Sequence, residues 1–104
     1  VTPDDRLVMI DFDDAGFGWH THELAVALHP AVGEPFHDDA QRALVEGYRA
    51  VRPLSDDQAE LITTFVLIRH LMLVSWLDAR PELGRADRLP VLIDAAVEAC
   101  ERYL

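Results

Sequence analysis

Three aspartates, Asp11, Asp13 and Asp14, stand at the end of a run of four apolar residues, Leu7, Val8, Met9 and Ile10. A short continuous apolar run bounded by turn signals fits a buried strand. A carboxylate at the end of such a strand can hold a divalent cation, because hard cations take oxygen ligands in set positions. On that reading Asp11, which follows the strand directly, is the main ligand. Asp13 shares its alternation phase and serves as a second or water-mediated ligand, whereas Asp14 has the opposite phase and faces solvent. The same residues also fit an acidic turn whose aspartates bond their own backbone. A Ca²⁺ loop does not fit: its fifth position would be Ala15 and its twelfth His22, where that loop needs an oxygen ligand and a bidentate glutamate.

Other chemistry-bearing residues have weaker patterns. His20 and His22 flank Thr21, and a His-x-His pair suits a transition metal. No further ligand stands at a matching spacing, so the pair reads as loop residues bordering a cleft. Phe17 and Trp19 are expected to pack the loop onto the core, with a place in a substrate pocket as the alternative. His70, beside Arg69 in an apolar stretch, reads as a satisfied core or interface group. Cys100 is the single cysteine and sits on an apolar helical stripe, so it reads as core and forms no internal disulfide.

The elements that must position these residues are mostly helical. Residues 1–6 read as a turn feeding a strand over 7–10, and a lone strand needs a partner for its backbone groups. Residues 11–21 form the loop, where Gly16 and Gly18 permit unusual backbone angles. Thr21 is expected to cap a helix over 22–29, which Pro30 ends. A second helix is predicted over 35–51, with Phe36, Ala40, Ala43, Leu44, Tyr48 and Val51 on one face. A third opens with the capping box Ser55-Asp56-Asp57-Gln58 and runs to 79. It is apolar nearly all round, which predicts burial on most sides. A fourth spans 89–103, with Leu89, Ile93, Ala96, Val97 and Cys100 inward. The fold class is therefore mainly α with one or two short N-terminal strands near residues 2–12. The chain reads as a single partial domain, with a strand and metal-binding loop over 1–21 and a helical subdomain over 22–104.

The segment Ile10-Asp11-Phe12-Asp13-Asp14-Ala15-Gly16-Phe17-Gly18, continued by Trp19-His20-Thr21-His22-Glu23-Leu24-Ala25, resembles the aminoglycoside phosphotransferase and choline kinase-like family. That family shares the protein-kinase-like fold, and the helices that follow agree with its helical lobe. Its members carry Ile-Asp-Phe after a hydrophobic strand, then an acidic or glycine-bearing loop, then Asp-Leu-Ala at a helix start. The resemblance implies that Asp11 is the Mg²⁺ ligand facing the nucleotide, the counterpart of the kinase Asp-Phe-Gly aspartate, with Asp13 assisting. It also implies that Glu23, standing where the family has the aspartate of Asp-Leu-Ala, is a structural brace for the catalytic loop.

The family's catalytic aspartate and a metal-binding asparagine lie in a His-x-Asp-x-x-x-x-Asn loop upstream of Ile-Asp-Phe, and its phosphate-binding lysine lies earlier still. Here ten residues precede Asp11, and the sequence contains neither lysine nor asparagine. The expectation is a C-terminal fragment of an ATP-dependent phosphotransferase that carries no catalytic residue of its own. ATP and Mg²⁺ would serve the whole enzyme and be absent from the fragment. The acceptor would be a small-molecule hydroxyl on an amino-sugar, choline-like or amino-alcohol compound, and so cationic. Opening on Val1 rather than Met agrees with that expectation.

Composition narrows the partners. The 104 residues include 19 acidic and 9 basic side chains, a formal charge of −10, which argues against nucleic acid and anionic membrane surfaces. Residues 61–77 are apolar enough to raise a membrane span, but Arg69 and His70 at the middle would be costly in lipid. With no signal-peptide pattern and no disulfide, a cytoplasmic protein is expected. Surface left uncovered by truncation predicts a homo-oligomer. Two other functions compete. A haloacid dehalogenase-type phosphatase would use Asp11 as nucleophile and Asp13 as general acid, but requires a later lysine and alternating strands and helices. A non-catalytic helical interaction module is the third reading.

Overall fold

The computed structural model describes residues 4, 6–8 and 16–104. Four helices account for most of them: α1 (His20–Leu28), α2 (His37–Arg49), α3 (Asp56–Asp78) and α4 (Leu89–Tyr103). The chain is mainly α, and among the described residues there is no strand. Of the strand expected over 7–10, Leu7 and Val8 take no regular structure and lie exposed. Residues 9 and 10 lie outside the described residues.

Local sequence explains some of the helix ends. Ser55 Oγ accepts from the Gln58 backbone N–H at 3.2 Å, and the Ser55 N–H donates to Gln58 Oε1 at 3.0 Å, closing the expected capping box at the start of α3. Arg49, in the last turn of α2, donates from Nε to the Leu54 carbonyl at 2.9 Å and from Nη2 to Asp56 at 2.7 Å, tying α2 to the start of α3. Pro30 does not simply stop α1. It sits inside a 3₁₀ turn over His29–Ala31, where its missing N–H costs nothing. Among the described residues the glycines with positive φ are Gly33 (84°) and Gly84 (62°).

Two starts differ from expectation. α1 begins at His20 behind an uncapped Trp19, so Thr21 is not the cap. It lies inside the helix, buried, because its hydroxyl has a tertiary partner: Oγ1 donates to the Gln58 carbonyl at 3.4 Å. α2 begins at His37, two residues later than expected, because the His37 N–H closes a tighter turn on the Glu34 carbonyl.

α3 is the centre of the packing. α1 and α4 lie against it, and α2 leans on α1. The core joins Leu24, Ala25 and Leu28 of α1 to Leu54, Ile62 and Val66. Ile62 is wholly buried, a placement that contributes about 1.5–3 kcal/mol.

Three expected faces are corrected. α3 is not buried on most sides: Ile62, Val66, His70 and Leu77 are buried, while Leu61, Ile68, Leu71, Met72 and Trp76 are exposed. Two packed helices cover only one side of a third. On α4, Ala96 is buried and Leu89 and Cys100 are half-buried, but Ile93 and Val97 are exposed, and Leu92 and Ala99 take their place. On α2, Phe36, Ala43 and Val51 are exposed, because Ala40, Leu44, Val45 and Tyr48 are the residues that reach the core. The radius of gyration is 15.9 Å, against about 13 Å for a compact chain of this length. The helices are thus spread around a small core.

Candidate functional site

The three aspartates that open the sequence reading, Asp11, Asp13 and Asp14, lie outside the described residues. The second half of their loop is described: residues 16–19 are exposed and lead directly into α1. What fixes this end is α1 itself. Leu24, Ala25 and Leu28 seat the helix in the core, and the bond from Thr21 to the Gln58 carbonyl pins its first turn to the first turn of α3.

Around that pin lies an open groove of about 360 Å³ lined by Gly18, Trp19, His20, Thr21, Gln58 and Leu61. Phe17 and Trp19 do not pack the loop onto the core. Both are largely exposed, and Trp19 forms one wall of the groove. Trp19 is extended at the helix start (φ −73°, ψ 127°) and gives α1 no side-chain cap. The first-turn amides of such a helix start and the positive end of its dipole favour anionic groups. Glu23 occupies this first turn with its carboxylate exposed, Oε1 3.8 Å from His22 Nδ1. His22 turns its ring edge toward Phe65, with centroids 5.9 Å apart, so it serves packing between α1 and α3. Among the described residues no group of three or more His, Cys, Asp or Glu is placed to hold a metal ion.

Two further polar clusters emerge from the packing. His70 is buried on α3, as expected of a satisfied core group, and its Nδ1 pairs with the Val66 carbonyl at 2.9 Å. Its ring lies against His29, whose Nε2 is buried without a hydrogen-bond partner. Burial, and after it the neighbouring His70 and Arg69, hold the His29 pKa below its ordinary value. A second groove, of about 350 Å³, runs between the start of α2, the middle of α3 and the end of α4. His37 lines it beside Glu34, Arg102 and Tyr103, and His37 Nδ1 is buried without a partner. Neither His29 nor His37 carries a sequence signal for these placements, since both are made by residues distant along the chain.

α3, at 23 residues, is long and apolar enough to cross a membrane by length and composition. Core helices pass the same test.

No family model matches this chain, and no solved structure matches it. The chain is similar to an uncharacterized protein of Synechocystis sp., 28% identical over 54 residues. The match covers 52% of this chain and 15% of that protein, so the chain spans a small part of the length of the curated relative it matches.

Proposed function

We propose that this chain is the C-terminal part of an ATP-dependent small-molecule phosphotransferase of the aminoglycoside phosphotransferase-like kind. The observation that carries the reading is the segment from Ile10-Asp11-Phe12 through Glu23-Leu24-Ala25. The mainly helical structure after it supports the reading, with Leu24 and Ala25 seated in the core of the first helix. A phosphatase of the haloacid dehalogenase type has less support. It needs a lysine, of which the sequence has none, and strands between the helices, of which the described residues have none.

In this proposal Asp11 and Asp13 supply the carboxylate oxygens that a hard cation takes. Bound Mg²⁺ supplies neutralisation of charge on the nucleotide phosphates. The 104 residues contain no lysine and no asparagine, so the family's phosphate-binding lysine and metal-binding asparagine come from other parts of the parent enzyme. The helical region carries part of the acceptor site, and its acidity suits a cationic hydroxyl compound. Glu23 braces the loop from the first turn of α1.

The test compares Asp11→Asn with Asp14→Asn in the parent enzyme at saturating Mg²⁺, using a panel of aminoglycosides, choline and amino alcohols as acceptors. Asp11→Asn is expected to lower turnover by about 10²-fold or more, and Asp14→Asn to leave it within a few-fold. Equal losses would show that the wrong carboxylate is assigned. Robust ATP turnover by the 104 residues alone, abolished by Asp11→Ala, would overturn the fragment reading.

A further inference from the structure

We draw no further inference here: the strongest candidate, the groove of about 350 Å³ between the start of α2, the middle of α3 and the end of α4, carries nothing because the partnerless Nδ1 of His37 in its wall is closed off from solvent, its Glu34 and Arg102 are exposed and of opposite charge, and nothing in the structure shows what fills it.

Discussion

The imidazole rings of His29 and His70 lie with centroids 4.6 Å apart and planes tilted by 53°, joining the turn after α1 to the buried side of α3. His70 is held by the Val66 carbonyl, whereas the buried Nε2 of His29 has no partner. A proton on His29 would add charge to a half-buried site already next to His70 and Arg69, so burial first and these neighbours after it hold the pKa of this ring below its ordinary value.

That relationship predicts an acid-sensitive contact. The His29 pKa is lowered on folding from its ordinary 6.5. The unfolded chain therefore binds the proton more readily, and its contribution to stability is full above about pH 6.5 and declines as pH falls towards the lower folded value. Thermal unfolding midpoints measured from pH 5 to 8 should drop on the acid side. His29→Gln should flatten that part of the profile relative to the parent chain, and an unchanged slope would refute the assignment.

The capping box predicts a local cost. Ser55→Ala removes the acceptor for the Gln58 N–H and should destabilise the chain by about 1 kcal/mol, within about 0.5–2. Urea unfolding measures it, through a lower midpoint at unchanged slope.

Burial along α3 predicts unequal responses to the same truncation. Ile62→Ala should cost about 2–5 kcal/mol, because Ile62 is wholly enclosed. Ile68→Ala should cost less than about 0.5 kcal/mol in dilute solution, where its face is open. Urea unfolding of both at low protein concentration compares them, and equal losses would mean that both faces of α3 are covered.

Arg49 joins α2 to α3 through a carbonyl and a carboxylate. Arg49→Ala should destabilise the chain by about 1 kcal/mol, chiefly through the lost bond to the Leu54 carbonyl. Asp56→Asn should change little, since that carboxylate stands largely in solvent and its ion pair is screened. Thermal unfolding of the two variants in low and high salt separates the contributions.

The groove at the start of α1 was legible in part. The sequence placed Trp19, His20 and Thr21 at the junction of a loop and a helix, and the structure keeps them there. It could not tell that Thr21 would turn inward to the Gln58 carbonyl, or that Trp19 would stand in solvent. Those outcomes depend on where the first turn of α3 lies relative to α1. The expectation of a metal site at Asp11 and Asp13 rests on their residue types and their place after an apolar run, and both lie outside the described residues.

The existence of four helices, the Ser55 capping box and the end of α1 near Pro30 were all readable from local sequence. These follow from interactions between residues a few positions apart, which act wherever the segment lies. Which side of α3 is covered, which residues of α4 face it, and the meeting of His29 with His70 depend on how the helices pack. A helix with apolar residues on two faces satisfies its own backbone equally well in any rotation about its axis. The choice between those faces is made by the neighbouring surfaces that remove one of them from water.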